Sequence, residues 1–524
     1  MAYTSRQSLH RSIGQFIERR YATETEQYVH LLAFHFGQTN DTQKQRRYYQ
    51  LAGTVSKRAY ANESALDYFK KLLPLLDEAE QGDVWLEIGT IQQHIGDWEA
   101  AESAFNQTVN LAKANGNEQL LGNGRLSLAK LLILSRTQSD DVILSHLQEA
   151  ETLFAKLNDA EGSSQVLEQL GFAALQQGAY VESREYTQRF LEMASAQNNV
   201  VGLSVAHENL GLSYLEQGQI KEALHHLQTS LSTAEAFDYL PGVILASNDL
   251  AGAFWMQGEY TNALNYLHRA LTAAKEIGYK ESLGLSIGNA GSVYQFLGNS
   301  DYAMFCYQQA LQLTIEIGDI PNSTNFVYNI AYVKNGLGEY GLAEAICHYV
   351  IEKSTALEFT YFLCHCENLL GDIYAKQDKW GQAKQATTNA LRIAKEASIQ
   401  DILLQGELRL IVAQVKMGEV ALETAVSALH QLTEKWSEPE DQAAIYLEIF
   451  NLDRNQIESK NRAVQLYEVA YQKVPNALYR QHIEQLSQKK LPPLPQLPQP
   501  DLVVSSLKPV EILIAQLGIE RLGD

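Results

Sequence analysis

The sequence contains little of what secreted and membrane-spanning proteins need. Only 4 of its 524 residues are cysteine, so a framework of disulfide bonds is excluded. No run of about 18 apolar residues is present, and no membrane-spanning helix is therefore expected. The first residues, MAYTSRQSLHRSIGQF, lack the apolar core of a secretion signal. Together these absences favour a cytoplasmic location.

Positive charge is also scarce. The chain has 41 lysines and arginines against 62 aspartates and glutamates, which gives a formal net charge of −21. A general surface for nucleic acid or for an anionic membrane requires a positive field. We therefore expect neither as a partner, and the charge is more compatible with basic or neutral protein partners.

Motifs that carry chemistry are nearly absent. The sequence has no phosphate loop of the form G-x-x-x-x-G-K-[ST], no H-E-x-x-H pair and no dinucleotide fingerprint. Gly284–Gly288 (GLSIG) matches the G-x-S-x-G string of serine hydrolases, which needs a strained strand-to-helix turn. Here the string opens a helical segment, so we interpret the match as accidental. We expect no cofactor and no catalytic activity.

One cluster of cysteine and histidine leaves two interpretations open. Its members are Cys347, His348, Cys364, His365 and Cys366. A zinc site needs thiolate or imidazole ligands that converge tetrahedrally. Cys364 and Cys366 are two residues apart, and on a helix their side chains diverge by about 200°. Buried cysteines that act as small hydrophobic residues are the favoured interpretation, and no metal site is expected.

What the sequence does contain is a repeat. Six glycine-centred turns lie at multiples of 40 residues, at Gly178, Gly218, Gly258, Gly298, Gly338 and Gly418. The remaining place in the series is held by Asp378. A fixed period of this size indicates a stack of similar supersecondary units, each burying its apolar face against its neighbours.

Each unit is predicted to hold two helices. In the unit around Gly218, a first helix runs from about Gly202 to Gln217. Gly218 ends it, because glycine adopts the left-handed conformation without steric penalty. A second helix follows, and a second set of glycines closes it in some units, namely Gly116, Gly278 and Gly318. Small residues recur seven positions before the first turn, as at Gly89, Gly171 and Gly291, which lets the paired helices approach closely.

The fold is therefore expected to be all-α. Residues 1–56 form a helical cap outside the repeat register, and residues 57–475 form a solenoid of about ten or eleven units. Residues 476–500 contain a helix end and a proline-rich stretch, which is interpreted as a linker or as a ligand for an SH3-like domain. In the tail, residues 501–524, a short amphipathic helix from Pro509 has three possible roles. It docks on the solenoid, binds a partner or frays.

The repeats resemble the tetratricopeptide repeat. The resemblance rests on a Leu-Gly pair in the first helix (Leu210-Gly211), a tyrosine three residues later (Tyr214), the turn glycine (Gly218) and alanines of the second helix (Ala263, Ala270). It implies a right-handed superhelix of antiparallel helix pairs. The 40-residue period exceeds the usual 34 of the family and is similar to that of LGN-type and kinesin-light-chain-type scaffolds.

The resemblance also implies a binding groove lined by the first helices. A row of mostly amide side chains stands nine residues before the turn, at Gln169, Asn209, Asp249, Asn289 and Asn329. Asn248 and Asn368 stand one position earlier. A carboxamide both donates and accepts hydrogen bonds, so it can hold the backbone of an extended peptide. We expect Asn209, Asn248, Asn289, Asn329 and Asn368 to form this groove. The alternative is that they cap or bridge helices.

Aromatic side chains would add apolar contact if they face the groove, or would belong to the core. They are Trp255, Phe296, Tyr328 and Tyr332.

A second resemblance concerns residues 7–76. They look like the segment that joins an NTPase module to its repeats in large bacterial signalling ATPases, including cyclase-associated ones. Two functional hypotheses follow. In the first, the chain is a non-catalytic scaffold that binds a peptide or helix of a partner protein. In the second, it is the sensor or regulatory half of a signalling NTPase or cyclase system, acting on a domain in cis or on a neighbouring protein.

Overall fold

A computed structural model describes residues 3–59, 61–95, 97–135, 139–356, 359–397, 399–494 and 497–519. Within these residues all regular secondary structure is helical, as predicted. In chain order the α-helices are α1 (Tyr3–Arg20), α2 (Val29–Gly37), α3 (Thr42–Arg58), α4 (Asn62–Leu72), α5 (Gln81–His94), α6 (Trp98–Asn115), α7 (Glu118–Ser135), α8 (Asp140–Leu157), α9 (Ala160–Gln176), α10 (Tyr180–Ala196), α11 (Val200–Glu216), α12 (Ile220–Ala236), α13 (Leu240–Met256), α14 (Tyr260–Ile277), α15 (Lys280–Phe296), α16 (Ser300–Ile317), α17 (Ile320–Gly336), α18 (Tyr340–Ala356), α19 (Thr360–Lys376), α20 (Trp380–Glu396), α21 (Leu403–Lys416), α22 (Leu422–Lys435), α23 (Pro439–Leu452), α24 (Ile457–Lys473), α25 (Ala477–Ser487) and α26 (Val510–Gln516). Two short 3₁₀ helices, Leu73–Leu75 and Glu78–Glu80, join α4 to α5.

From α5 to α24 the odd-numbered helices are the first helices of the repeats and the even-numbered ones are the second. The turn glycines adopt the left-handed backbone that the sequence predicts, with φ of 69° at Gly218. The N–H of the next residue, Gln219, then donates to the carbonyl of Tyr214 at 2.9 Å, which closes the end of α11. Asp378 adopts the same conformation, with φ of 58°. The fixed spacing of these residues therefore reflects the same left-handed turn, which ends the first helix in successive repeats.

In the repeats from α6 to α16, the turn after the second helix has the same left-handed conformation, but different residues adopt it. Gly116, Gly278 and Gly318 have φ between 63° and 71°, as predicted. The corresponding places in other units also have positive φ, at Asn158, Asn198 and Asp238. These three lie 40 residues apart, but their turns cannot be recognised from a glycine pattern. Asparagine and aspartate tolerate the left-handed region better than other residues with a side chain.

Two glycines test this conformational argument with opposite signs. A Cβ atom at Gly218 or at Gly252, inside α13, would meet no atom within 4 Å. Gly218→Ala should lower the free energy of unfolding by about 1 kcal/mol, because alanine is strained at positive φ. Gly252→Ala should raise it by about 0.5–1 kcal/mol, because alanine is the better helix former. Urea titrations followed by circular dichroism measure both. Shifts of the same sign would contradict the backbone argument.

Small residues on the first helices do allow close helix packing, as predicted. A Cβ atom at Gly89 on α5 would lie 2.5 Å from Cε1 of Phe105 on α6. At Gly291 on α15 it would lie 2.8 Å from Cε1 of Tyr307 on α16. In both pairs an aromatic ring of the second helix occupies the space that a larger residue on the first helix would fill.

The chain divides into two compact units. The first comprises Met1–Ser213 and Ile317–Ile320, and the second comprises Tyr214–Glu316 and Pro321–Asp524. In the first unit, α1–α3 have their own apolar cluster around Phe36 and Tyr48. A further cluster around Leu147 and Phe154 joins the helices from α7 to α11.

In the second unit, one continuous core extends from Leu215 to Ala386 and includes side chains of the C-terminal tail. The last repeats, α21–α23, pack around Leu429 and Ile445. Among the described residues, no helix combines the length and the apolar character needed to cross a bilayer.

Helix α25 follows the last repeat. Its first residues lie beside the turns at Gly258 and Gly298 in the second unit. The hydroxyl of Tyr260 donates to the carbonyl of Pro475. A Cβ atom at Gly258 would lie 3.0 Å from Cδ of Pro475, and one at Gly298 would lie 2.7 Å from Cβ of Ala477. This contact brings the residues that lead into the tail close to α13–α16.

Candidate functional site

The five asparagines predicted to line a groove all lie on first helices. Asn209, on α11 in the first unit, is buried with 7% of its surface exposed. The other four are half-buried in the second unit, namely Asn248 on α13, Asn289 on α15, Asn329 on α17 and Asn368 on α19. The amide row therefore exists as a feature of successive first helices, while its role in peptide binding stays a prediction.

Within the row, neighbouring amides bond to one another. The Nδ2 of Asn289 donates to Oδ1 of Asn248 at 3.2 Å. The Nδ2 of Asn248 donates to Oγ of Ser286 at 3.0 Å and to the carbonyl of Ile244 at 2.9 Å. These contacts join α13 to α15. Asn248 thus bridges helices, which is the alternative role that sequence analysis left open.

The two later asparagines differ in how firmly they are held. Asn329 contacts Oδ1 of Asn325, one turn earlier on α17, at 3.4 Å. Asn368 receives two hydrogen bonds from Nη1 of Arg409 on α21, at 3.1 Å to its carbonyl and at 2.8 Å to its Oδ1. Asn329 is therefore the better candidate for contact with a ligand, and Asn368 is fixed by the next repeat.

The aromatic side chains that were considered for the predicted groove differ in their burial. Trp255 and Phe296 pack edge to face with ring centroids 5.1 Å apart, against the core of the second unit. Tyr332 on α17 is 47% exposed and follows Asn329 by three residues. The half-buried Asn329 therefore has an exposed aromatic side chain one turn further along α17.

Arg409 is the centre of a polar cluster on three successive first helices. Its Nη2 lies 3.9 Å from Oδ1 of Asp372 on α19. Burial alone would raise the pKa of Asp372, but the charges of Arg409 and Lys376 outweigh it, and the pKa is lowered. Burial raises the pKa of Glu448 on α23, and the charge of Arg409 opposes this shift. Arg409 thus compensates two partly buried carboxylates.

Asp249 occupies the amide row between Asn209 and Asn289 in sequence register. Burial in α13 raises the pKa of its carboxyl from 3.8 to about 7. Near neutral pH a substantial fraction of this side chain is therefore protonated. A protonated carboxyl donates and accepts hydrogen bonds, as the amides at neighbouring places do.

A second polar site was missed by sequence analysis, and a segment of the chain occupies it. The tail, defined here as residues 497–519, crosses α15 and α16. The hydroxyl of Tyr294 on α15 donates to the carbonyl of Pro498 at 2.7 Å. Two buried glutamines of α16, Gln309 and Gln312, are 0% and 4% exposed and bind the backbone of the tail. We call these three side chains the tail-binding surface.

Each glutamine holds the tail at two points. The Nε2 of Gln309 donates to the carbonyl of Asp501 at 3.1 Å, and its Oε1 accepts the N–H of Val503. The Nε2 of Gln312 donates to the carbonyl of Ser506 at 3.0 Å, and its Oε1 accepts the N–H of Lys508 at 3.0 Å. The carboxamide chemistry predicted for the asparagine row is therefore present on a second helix.

Apolar side chains of the tail complete the contact. Val504, in the extended part, and Leu513, on the short helix α26, are 8% and 0% exposed and belong to the core of the second unit. Leu502 and Ile512 point away from it and are 54% and 49% exposed. Of the three roles predicted for the tail helix, the structure shows docking on the repeats. The second PxxP of the proline-rich stretch starts at Pro495, which lies outside the described residues.

The cysteine and histidine cluster does not converge on one point. All three of its cysteines are buried. Cys364 contacts the carbonyl of Ala390 at 3.4 Å, and Nε2 of His365 lies 3.3 Å from Oδ2 of Asp401. Burial raises the pKa of Cys366 well above its usual value, so its thiol stays protonated. Among the described residues, no three side chains of the types that bind metals come together.

The string that matches serine hydrolases lies inside a helix. Ser286 is fully buried in α15, and its Oγ donates to the carbonyl of Ser282 at 2.9 Å, one turn earlier. It also accepts from Asn248. A nucleophilic serine has to project from a strained turn. Ser286 therefore has a structural role between α13 and α15.

Comparison with protein families supports the repeat assignment. Residues 162–236 and 243–316 match the model described as tetratricopeptide repeat. The resemblance predicted from the sequence is confirmed. Residues 15–138 and 345–412 match the model described as anaphase-promoting complex subunit 5. No curated protein matches the chain.

Solved structures of tetratricopeptide-type sensors are similar to the chain at low identity. A Rap protein complexed with competence and sporulation factor is 13% identical, with 65% of this chain and 99% of that chain covered and a TM-score of 0.42. The apo quorum sensor NprR from B. thuringiensis is 18% identical, with 66% and 96% covered and a TM-score of 0.43.

A third structure belongs to the class that the resemblance of residues 7–76 named. It is a Signal Transduction ATPase with Numerous Domains from Pyrococcus horikoshii, which has a tetratricopeptide repeat sensor. It is 12% identical, with 86% of this chain and 67% of that chain covered and a TM-score of 0.44.

Proposed function

We propose that the chain is a non-catalytic scaffold that binds an extended segment of a partner protein in its helical repeats. The observation that supports this function is that the repeats already hold an extended segment of their own chain. Gln309 and Gln312 contact its main chain with both donor and acceptor atoms. Carboxamides are suited to this task, because they hold a backbone without reading its sequence.

We further propose that the asparagine row of the first helices binds the partner. Asn248, Asn289, Asn329 and Asn368 of the second unit recur at intervals close to 40 residues, so an extended peptide bound there would meet one carboxamide per repeat. Asn209 is the member of the row that lies in the first unit. Contacts that accumulate along several repeats are the usual source of affinity in solenoid proteins. Within this row Asn329 makes a long contact of 3.4 Å with Asn325. The side chain of Tyr332, one turn further along α17, is 47% exposed.

Asparagine variants on neighbouring helices test this proposal. Asn329→Ala should weaken capture of a partner from a lysate of the source organism by roughly tenfold, because it removes the hydrogen bonds to the ligand. Within the protein it removes a long contact, 3.4 Å to Oδ1 of Asn325. The melting temperature should hardly change. The matched control is Asn248→Ala, which removes three described hydrogen bonds between or within helices and should destabilise the protein by about 1–3 kcal/mol.

Quantitative mass spectrometry of the captured proteins, with thermal melting of each variant, distinguishes the two roles. Partners retained by the parent and lost by Asn329→Ala support the groove. If capture by Asn329→Ala equals that by the parent, the asparagine row is a structural feature and the partner binds elsewhere.

A second candidate function is the sensor or regulatory half of a signalling NTPase or cyclase system. The observation that favours it is the separate apolar cluster of α1–α3, which precedes the repeats and lies outside their register. In this function the helices would transmit binding in the repeats to an enzymatic module. An NTPase or cyclase that copurifies with the chain through residues 7–76 would support it, and capture that is unchanged when Phe36 or Tyr48 is substituted would count against it.

A further inference from the structure

We propose that the tail-binding surface of Tyr294, Gln309 and Gln312 is a binding site for a partner segment that resembles the tail, and that this segment binds by displacing the tail. The inference rests on the proposed scaffold function and names a surface and a ligand chemistry for it. The surface is separate from the asparagine row, since its two glutamines lie on the second helix α16.

The tail-binding surface recognises the main chain of the segment that it holds. Gln309 binds the carbonyl of Asp501 and the N–H of Val503, and Gln312 binds the carbonyl of Ser506 and the N–H of Lys508. Each amide thus bridges a residue and the second residue after it, and the two clamps are five residues apart. Every extended segment offers these atoms, so the polar contacts do not restrict the site to the sequence of the tail.

The apolar contacts of the tail select the side chains of a bound segment. Val503, Val504 and Leu507 lie between or beside the clamps and are in contact with the apolar core. The short helix α26 adds Leu513 and Ile514, which are buried. The matching partner is therefore an extended segment with aliphatic residues between the clamps, followed by one or two turns of apolar helix. Proline is excluded at the two places equivalent to Val503 and Lys508, because it has no N–H to donate.

Release of the tail leaves no polar group of the tail-binding surface buried without a hydrogen-bond partner. Gln309 and Gln312 are buried beneath the tail, and water satisfies carboxamides that become exposed. The described residues between α25 and α26 form no regular secondary structure. Five prolines between residues 492 and 500 mark the junction between the repeat helices and the tail in the sequence. The contact between Nδ1 of His268 and Oδ2 of Asp501 is exposed and 3.6 Å long, so it holds the tail only weakly.

Binding of a labelled tail peptide to full-length variants tests the proposal. The probe is a fluorescent synthetic peptide with the sequence of residues 497–519. The full chain should bind it poorly, because its own tail competes at high effective concentration. The tail variant Val504→Asp with Leu513→Asp places charges on two buried positions and should release the tail. Fluorescence anisotropy should then show binding at least tenfold tighter than to the parent.

The two glutamines supply the decisive control. Adding Gln309→Ala and Gln312→Ala to the tail variant should weaken binding of the peptide on the order of a hundredfold, because all hydrogen bonds from the two carboxamides to its main chain are lost. Gln308→Ala, at the preceding position of α16, should leave binding unchanged. A peptide that fails to bind the tail variant, or binds equally well without both glutamines, overturns the proposal.

Hydrogen exchange of the unmodified chain gives an independent measurement that does not depend on the variants. The amides of Val503 and Lys508 should exchange through local release of the tail, at least tenfold faster than the core amides of α16. If they exchange only with global unfolding, the tail is an integral part of the core and the proposal fails. A concentration-dependent dimer that the tail variant lacks would also overturn it, because the occupant would then be the tail of a second copy.

The outcome separates this inference from the proposed function. If peptide binding fails while Asn329→Ala still weakens partner capture, the scaffold function stands and only the tail-binding surface is lost as a site. If Asn329→Ala has no effect while the peptide binds through both glutamines, the asparagine row is excluded and the tail-binding surface remains.

Discussion

Replacing Arg409 by methionine should lower the free energy of unfolding by about 3–5 kcal/mol, which is the typical effect of removing one partner from a buried ion pair. The side chain of Arg409 is 13% exposed. Its loss removes one of the two cations that lower the pKa of Asp372, the other being Lys376, and a cation that opposes the raised pKa of Glu448. It also removes the donor to the side-chain oxygen of Asn368. Urea titration at neutral pH measures the change.

The control for Arg409 is an exposed ion pair of the same type. Arg392 contacts Glu396 one turn later on α20, with side chains 60% and 63% exposed. Arg392→Met should change stability by no more than about 0.5 kcal/mol. The effect of Arg409→Met should also shrink in acid, because the lowered pKa of Asp372 means that its contribution is lost when it becomes protonated. Equal effects of the two substitutions would show that the cluster is not buried in solution.

The repeat architecture was predictable because its signals are local. A helix that ends in a left-handed turn favours glycine at that one position, and the 40-residue period repeats this glycine several times along the chain. The close approach at Gly89 and Gly291 was predictable for the same reason. Asn158 and Asp238 were missed because they fulfil the same backbone requirement with a different residue type.

The tail-binding surface was not predictable, because the information that defines it is not local. Gln309 contacts Asp501 across 192 residues of sequence. In the preceding repeat the equivalent places hold Arg269 and Thr272, which are exposed. Polar residues there are typical of a solvated helix face, and only the docked tail makes Gln309 and Gln312 buried. No periodic signal marks one second helix as different from the others.

The asparagine row shows the limit of a pattern that is real but has two explanations. The 40-residue spacing places amides on successive first helices, and neighbouring first helices bring Asn248 and Asn289 within 3.2 Å of each other. The same spacing that would serve an extended ligand therefore also lets the amides bond to one another. Sequence cannot rank the two roles, since both need a carboxamide at the same position.

Replacing Asp249 by asparagine should stabilise the protein at pH 8 by as much as about 4 kcal/mol. The reason is that the pKa of Asp249 is raised from 3.8 to about 7 in the folded chain, and each unit of difference corresponds to about 1.4 kcal/mol. At pH values between these two pKa values, the unfolded chain releases the proton while the folded chain keeps it. The free energy of unfolding therefore falls as the pH rises. Above about pH 7 the folded carboxyl ionises as well, and the loss stays constant.

The pH dependence of this gain is the decisive observation. At pH 3.5 Asp249 is protonated in the folded chain and largely so in the unfolded chain, and the asparagine variant should gain almost nothing over the parent. Asp301→Asn, which changes an exposed side chain of α16, should shift stability by no more than about 0.5 kcal/mol at either pH. Thermal melts of the parent and both variants at the two pH values measure this. If the gain were the same at both pH values, it would come from the packing of the new side chain and not from removal of the charge of Asp249.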